Sequence, residues 1–253
     1  MARILLEIIA STVEDCLAAE SGGADRVELC AAIATAGLTP SLATLIEAKR
    51  RVRIPIMAMV RPRAGGFCYS AEDFAVMRRD ATLLLEHGAD GIVFGILHAD
   101  GTIDTTRCGK ILELAGGKQT VFHRAFDVLR EPMRGLDELV DLGFTRVLTS
   151  GQKRAAGEGL ERIRELVTHA DGRIEVLPAG GVRLHNVHQL IEATGCAQVH
   201  LTAFSSRCDP STSNGPITFG STPGAPKSSY ECVDLEAVRR MRETLDTIGE
   251  ATK

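Results

Sequence analysis

The chain has 253 residues, with 29 Lys and Arg against 33 Asp and Glu, so its formal net charge is −4. That charge excludes the strongly basic surface that is typical of nucleic-acid binding. Apolar residues make up 44% of the sequence and charged residues 25%, which are ordinary values for a globular protein and exclude disorder as its main state. No apolar run reaches about 18 residues, so we expect no membrane span.

Eight short runs rich in apolar and β-branched residues alternate with eight segments of helical periodicity. The predicted strands cover residues 4–10, 26–30, 55–61, 91–97, 120–126, 146–150, 174–179 and 198–204. The predicted helices cover residues 12–21, 41–52, 71–87, 105–114, 132–142, 159–168, 184–193 and 235–248. Eight βα units in a chain of this length indicate an α/β fold, a single (β/α)8 TIM-type barrel over residues 1–253.

The alternative fold is an open, doubly wound sheet. Such a sheet usually has a glycine-rich turn after its first strand, and LLEIIASTVEDC has none. Residues 205–229, rich in Ser, Pro and Gly, are too long for an ordinary βα connection. We therefore expect a long loop after the last strand, at the mouth of the barrel, either as a lid over the site or as a disordered segment.

The N-terminus and the cysteines favour a cytoplasmic protein. The sequence MARILLEIIA lacks the long apolar core and the cleavage site of a signal peptide. The seven cysteines are odd in number and form no CxxC pair, which argues against a disulfide scaffold and against a structural zinc site.

Polar residues fall at the predicted carboxyl ends of the strands, where a barrel builds its active site. A lone buried ion pair or a lone strand histidine would most simply be structural, but so many polar groups at one mouth indicate a functional pocket. The candidate residues are Glu7, Glu28, Arg61, Arg63, His123, Arg124, Asp127, Ser150, Gly180, Gly181 and His200.

Two of these residues suggest the chemistry. Glu7 and Glu28 lie on adjacent predicted strands, where their carboxyl groups could be about 5 Å apart, a separation that suits a retaining glycosidase. His123 or Asp127 could serve as the proton carrier instead. We therefore expect these four residues to be catalytic.

The remaining candidates suggest binding. Arg61 and Arg63 could bind a carboxylate or another anionic group of a substrate. Gly180 and Gly181 offer bare backbone N–H groups where barrels often hold phosphate, although an ordinary turn is the simpler explanation. Cys30 lies two residues after Glu28, on the same side of the strand, and its thiol could bind Cu(I) if a second soft ligand were supplied.

Several long motifs make the chain similar to the CutC family along nearly its whole length. They are GGADRVELC, GLTPS, RPR followed by FCYS, ADGIVFG, FHRAFD, GFTRVLTSGQ, AGGV and the VH of the last strand. The resemblance implies a TIM-type barrel, a cytoplasmic location, a homo-oligomer and a role in copper homeostasis. The mouth residues that it carries over are Glu7, Glu28, Arg61, Arg63, His123, Arg124, Asp127, Ser150 and His200.

The same resemblance bears on copper. Family members have two cysteines proposed as copper ligands. One of them falls on Cys30, and the other falls on Ile9, which cannot ligate a metal ion.

The sequence thus leaves three functions open. We favour an enzyme of the glycoside hydrolase type, acting on a small polar or anionic glycoside, since its carboxylates have no use in a Cu(I) site. The alternatives are a non-enzymatic Cu(I)-binding or trafficking protein and a sugar-phosphate isomerase or lyase. The expected partner is accordingly a small-molecule substrate or a copper ion, and copper is the one cofactor suggested.

Overall fold

The computed structural model describes residues 3–212, 217 and 229–251. Eight strands alternate with eight helices along the described chain. The strands are β1 Leu5–Ala10, β2 Arg26–Leu29, β3 Ile56–Met59, β4 Gly91–Phe94, β5 Gln119–Phe122, β6 Arg146–Thr149, β7 Glu175–Pro178 and β8 Gln198–Leu201. The helices are α1 Val13–Ser21, α2 Leu42–Arg51, α3 Ala71–Glu86, α4 Thr105–Ala115, α5 Pro132–Leu142, α6 Leu160–Ala170, α7 Val187–Thr194 and α8 Leu235–Ala251.

The eight strands pair in parallel, in the order β7-β6-β5-β4-β3-β2-β1-β8. The two end strands, β7 and β8, lie in contact, and Gln198 Nε2 on β8 donates a hydrogen bond to Glu175 Oε2 on β7 (3.0 Å). The predicted (β/α)8 barrel is therefore confirmed. Its register places Glu7 opposite Arg26 on one side and His200 on the other, which brings distant parts of the sequence together at one point.

The barrel separates two apolar cores. The larger one fills the space between the strands and the surrounding helices. The smaller one lies inside the barrel and contains Cys30, Met57, Met59, Val93, Val121, Leu148, Leu177 and Ala179. The first residues of five strands form a polar layer at the opposite end from the mouth, namely Arg26, Gln119, Arg146, Glu175 and Gln198.

Several strands end earlier than the sequence predicts. The strands predicted over residues 55–61, 91–97, 120–126 and 198–204 end at Met59, Phe94, Phe122 and Leu201. After Phe122 the backbone turns into a short 3-10 helix, Arg124–Val128, so its polar side chains are presented at the mouth. The apolar runs continue past the strands because the first loop residues are buried too.

The predicted long loop begins and ends as an antiparallel hairpin. Its strands are β9 Phe204–Cys208 and β10 Ser229–Val233. The backbone N–H of Val233 donates to Asp15 Oδ1 (2.8 Å), and Arg207 pairs with Glu14 (2.6 Å), so the hairpin is held against α1. Residues 213–216 and 218–228 lie outside the described residues, and the lid over the site stays a prediction.

Two further expectations can be compared with the described residues. All seven cysteines are free, and five of them are buried. Over the ranges that the structure describes, no helix has both the length and the apolar character needed to cross a bilayer.

Gly91 provides a stability test of the barrel interior. A Cβ at this position would collide with the Gln119 carbonyl oxygen on β5 and with the Met57 methyl group, so Gly91→Ala is expected to lower the free energy of unfolding by about 1–3 kcal/mol. The control is Gly109→Ala on α4, where nothing lies within 4 Å, and this change should raise stability by about 0.5–1 kcal/mol. Urea denaturation measures both, and an unaltered Gly91→Ala variant would contradict the packing described.

Candidate active site

A cavity of about 470 Å³ opens at the carboxyl ends of the strands. Nine of the predicted site residues line it: Glu28, Cys30, Arg61, His123, Arg124, Asp127, Gly180, Gly181 and His200. The other three, Glu7, Arg63 and Ser150, lie behind its walls and contact residues that line it or support its loops.

Glu7 lies beneath the floor of the cavity and is 1% exposed. Its Oε2 accepts a hydrogen bond from Arg26 Nε, and its Oε1 accepts one from His200 Nδ1 (2.6 Å). Burial would raise the pKa of Glu7, but the Arg26 charge and the His200 hydrogen bond outweigh it and hold this pKa well below its usual range. Glu7 is therefore an ionised carboxylate with both oxygens engaged, and a supporting role suits it better than the catalytic role expected.

His200 connects this buried carboxylate to the cavity. Its Nδ1 is turned toward Glu7, so the ring orientation is fixed and its other nitrogen is left for the cavity side. Burial alone would lower the pKa of His200, but the charges of Glu28 and Glu7 outweigh it, and this pKa is raised. His200 therefore favours its protonated form and is held in place by Glu7.

Glu28 is the least satisfied carboxyl group of the site. It is 3% exposed, and its Oε2 has no hydrogen-bond partner in the described part of the chain. Burial raises the pKa of Glu28 to about 7, with the Glu7 charge adding to the effect and His200 opposing it. A carboxyl group with this pKa can both take up and release a proton near neutral pH.

His123 forms part of the opposite wall. Its Nδ1 accepts a hydrogen bond from the Ala125 backbone N–H (3.2 Å), so the proton of the neutral ring is on Nε2, which is buried and unpaired. Burial, helped by the nearby Arg61 charge, lowers the pKa of His123 to about 3. This histidine is neutral and can donate a hydrogen bond into the cavity, but it is a poor proton carrier.

Arg61 holds two loops of the cavity wall together. Its Nη1 donates to the carbonyl oxygens of Thr35 and Gly37, and its Nη2 donates to that of Gly65, all at 2.8 Å. Its guanidinium also lies over the Phe67 ring, which in turn contacts His123. The anion-binding role expected for Arg61 stays a prediction, with Nε as its one unpaired donor in the described chain.

Arg63 points away from the cavity. It pairs with Asp73 on α3 (2.7 Å) and donates to the backbone carbonyl of Cys68 (2.9 Å), so its neighbours are structural. Arg63 does not line the cavity, and the anion-binding role expected for it stays a prediction.

Both carboxylate oxygens of Asp127 are also engaged in hydrogen bonds. Its oxygens accept hydrogen bonds from Thr149 Oγ1 (2.6 Å), Ser150 Oγ (2.9 Å) and Arg124 Nε (2.7 Å). Ser150 Oγ accepts a further bond from Arg124 Nη2 (2.8 Å). This network orients Arg124 at the rim of the cavity and suits Asp127 for positioning rather than for proton transfer.

One group of three residues and one lone thiol could contribute to a metal site. One ligand atom from each of Glu7, Glu28 and His200 lies within 4.8 Å of the others, but the Arg26 charge on Glu7 would repel a cation there. Cys30 offers one soft ligand, and burial raises the pKa of its thiol well above the usual range, which disfavours the thiolate that Cu(I) prefers.

Sequence reasoning missed three residues of the site. Arg26 is buried beside Glu7, Phe67 packs on His123, and Arg183 lines the cavity. Arg26 had a readable signal, since it precedes Glu28 by two residues and therefore points to the same side of the strand. The position of Phe67 depends on a loop and has no such signal.

These features define a (β/α)8-barrel protein with a buried acidic and histidine-containing pocket at the mouth. A model of the CutC family matches residues 4–205. The chain is 45% identical over 246 residues to a family protein CutC of Treponema denticola, covering 97% of this chain and 100% of that one. It is 40% identical over 238 residues to a human copper homeostasis protein cutC homolog, covering 94% and 87%. The chain belongs to the CutC family.

A solved structure agrees with this assignment. The crystal structure of a putative copper homeostasis protein CutC from Streptococcus agalactiae matches with a TM-score of 0.75 and 35% identity, covering 78% of this chain and 97% of that one. A solved structure of QR15, an aldolase, matches this chain with a TM-score of 0.61 and 17% identity. At this low identity the similarity shows the barrel fold alone.

The pKa of Glu28 predicts how stability changes with pH. Because this pKa is raised to about 7, the folded protein keeps a proton that the unfolded chain has released, so the free energy of unfolding falls between about pH 5 and pH 8. The raised pKa of His200 acts in the same direction. In Glu28→Gln the fall should be smaller by on the order of 2 kcal/mol, as measured by urea denaturation across this range.

The matched control is Glu113→Gln, which removes an exposed carboxylate on α4. It should keep the pH dependence of the parent protein. Equal slopes in the parent and in Glu28→Gln would show that Glu28 has an ordinary pKa.

Proposed function

We propose that this CutC-family protein is an acid–base enzyme that acts on a small polar substrate. The observation that carries the proposal is Glu28, a buried carboxyl group with an unpaired Oε2 at the floor of a cavity, beside a histidine fixed by a second carboxylate. A barrel selected for stability alone would not place an unsatisfied acid there, because leaving it unpaired costs about 1–3 kcal/mol or more.

Each group can be given a role from its environment. Glu28 in its ionised form takes a proton from a substrate carbon, and the protonated His200 returns one to a neighbouring atom. His123 donates a hydrogen bond from Nε2 to the substrate oxygen on which negative charge develops. Glu7 keeps His200 oriented and charged.

This division of roles favours isomerisation or elimination over glycoside hydrolysis. A retaining glycosidase needs one carboxylate free to attack the sugar. Glu7, the expected second carboxylate, has both oxygens engaged by Arg26 and His200. Proton transfer at a carbon next to a carbonyl group needs only the groups that face the cavity.

Solvent deuterium exchange tests the proposal. The protein is incubated in deuterated water with a panel of aldoses, ketoses, sugar acids, sugar phosphates and glycosides, and mass spectrometry follows deuterium incorporation and product formation. We expect incorporation into at least one carbonyl-bearing member. Glu28→Gln should slow it by about 10²–10⁴-fold, the usual contribution of a general acid or base.

Glu113→Gln is the control and should exchange as fast as the parent protein, because its carboxylate lies on the outer surface. Equal exchange by Glu28→Gln, or no turnover of any panel member, would sink the enzyme proposal. Hydrolysis of a glycoside without deuterium incorporation at carbon would favour the glycosidase mechanism over proton transfer at carbon.

Copper binding is the second candidate, and one observation favours it. The Cys30 sulfur and the Met59 methyl group both lie against Gly37, so a thiol and a thioether share one wall of the cavity. Both are donors that suit Cu(I). The human relative's name, copper homeostasis protein cutC homolog, points to the same metal.

A Cu(I) competition titration against a tight chelator under reducing conditions decides this second candidate. If copper is a functional cargo, Cys30→Ala should lower the Cu(I) affinity at least about tenfold, since it removes the one thiol of the cavity. Cys16→Ala, a buried thiol outside this cavity, is the control. Equal affinities in the parent and in Cys30→Ala would exclude Cys30 as a ligand.

We further propose a cytoplasmic location and a homo-oligomeric state. Seven free cysteines suit a reducing compartment. Size-exclusion chromatography with light scattering measures the number of subunits.

A further inference from the structure

Arg124 presents an unused donor at the rim of the cavity. Its Nε binds Asp127 and its Nη2 binds Ser150, but its Nη1 makes no hydrogen bond within the described chain. Asp127 and Ser150, with the Lys153 carbonyl oxygen at 3.5 Å from Nη2, hold Arg124 from behind, so Nη1 is fixed in position and is left for a ligand. A fixed guanidinium with one free nitrogen is suited to binding an oxyanion.

The free nitrogen lies over the backbone after β7. A Cβ at Gly180 would be 2.9 Å from Arg124 Nη1 and 3.1 Å from its Cζ, so only glycine lets the guanidinium approach so closely. Gly180 and Gly181 both have positive φ, 87° and 69°. Both line the cavity, and neither of their backbone N–H groups has a hydrogen-bond partner among the described residues.

The surrounding loops carry three more basic side chains. Arg183 lines the cavity, and its Nη1 donates to the backbone carbonyl oxygen of Val182 (2.7 Å) rather than to an acidic side chain among the described residues. A Cβ at Gly181 would be 2.8 Å from Ala155 Cβ, so the loop after β6 meets the loop after β7 at this point. That loop contributes Lys153 and Arg154, which are exposed and likewise have no ion pair in the described chain. Asp127 pairs with Arg124, and Glu158 and Glu161 line a pocket together with Lys153, so Arg183 is the basic side chain that adds most directly to the charge of the cavity.

The geometry points to a phosphate-binding corner formed by Arg124 Nη1 and the backbone N–H groups of Gly180 and Gly181, which makes the substrate a small phosphomonoester. This inference rests on the proposed function and specifies its substrate class. A phosphate offers three oxygens to a guanidinium nitrogen and two amides, whereas a carboxylate offers two. The remainder of the substrate would extend over the cavity toward Glu28 and His200.

Titration calorimetry with inorganic phosphate at low ionic strength tests the corner without a substrate. The parent protein should bind phosphate saturably, in the millimolar range. Gly180→Ala pushes the guanidinium away and Arg124→Gln removes it, so each should weaken binding at least about tenfold. Acetate, the carboxylate probe, should bind at least about tenfold more weakly than phosphate.

Two controls separate the corner from general damage. Gly143→Ala imposes a Cβ at φ +84° with nothing within 4 Å, so it reproduces the backbone strain of Gly180→Ala at the end of α5. Arg79→Gln removes one exposed positive charge on α3. Both should bind phosphate as the parent protein does, and thermal melts establish that every variant is folded.

The outcomes distinguish this inference from the proposed function. Glu28→Gln should bind phosphate normally, because the acid lies outside the corner. Phosphate affinity unchanged in both Gly180→Ala and Arg124→Gln, no saturable binding, or acetate binding as tight as phosphate would overturn the corner. Loss of phosphate binding in both variants alongside no turnover would support the corner and refute the enzyme. If unphosphorylated sugars exchanged deuterium, and did so equally fast in Arg124→Gln and in the parent protein, the enzyme would be supported and the phosphomonoester substrate would be refuted.

Discussion

The ion pair between Arg26 and Glu7 is the interaction on which the candidate site depends. Both side chains are buried inside the barrel, where a lone charge would be very unfavourable. Arg26 keeps Glu7 ionised, and the ionised Glu7 fixes the ring of His200. Arg26 binds Glu7 directly, whereas its weaker attraction for Glu28 does not offset the burial of that group, so two carboxyl groups a few ångströms apart have opposite tendencies to ionise. Residues at the closed end of the barrel thereby set the chemistry at its open end.

The cavity thus combines three titratable groups in three environments. Glu28 is desolvated and unpaired, His200 is stabilised as a cation by carboxylates, and His123 is kept neutral by burial and by Arg61. Such separation of pKa values among neighbouring groups is what acid–base chemistry near neutral pH requires. Arg61 contributes twice, since it also ties together the loops that carry Thr35 and Gly65.

The sequence predicts the barrel and nine of the residues that line the cavity, because both depend on local patterns. Glu7, Glu28 and His200 stand out as polar residues inside apolar strands, and the parallel register then brings them together. The role of Glu7 could not be predicted, since it depends on Arg26, which lies 19 residues away in the chain. Arg63 shows the same limit: its position at a strand end suggests the cavity, but Asp73 on a helix draws it away. The hairpin after β8 depends likewise on a distant partner, Asp15.

The junction between β7 and β8 gives the barrel a built-in seam. The other neighbouring strands are joined by backbone ladders, whereas among the described residues this pair is bridged by the side chains of Glu175 and Gln198. Side-chain bridges of this kind separate at lower cost than a row of backbone hydrogen bonds, which makes this junction the weakest of the eight between the described strands. The seam lies between the strand that leads into Gly180 and the strand that carries His200. A separation of these two strands would widen the cavity between Gly180 and His200 and would leave the seven backbone ladders of the barrel intact.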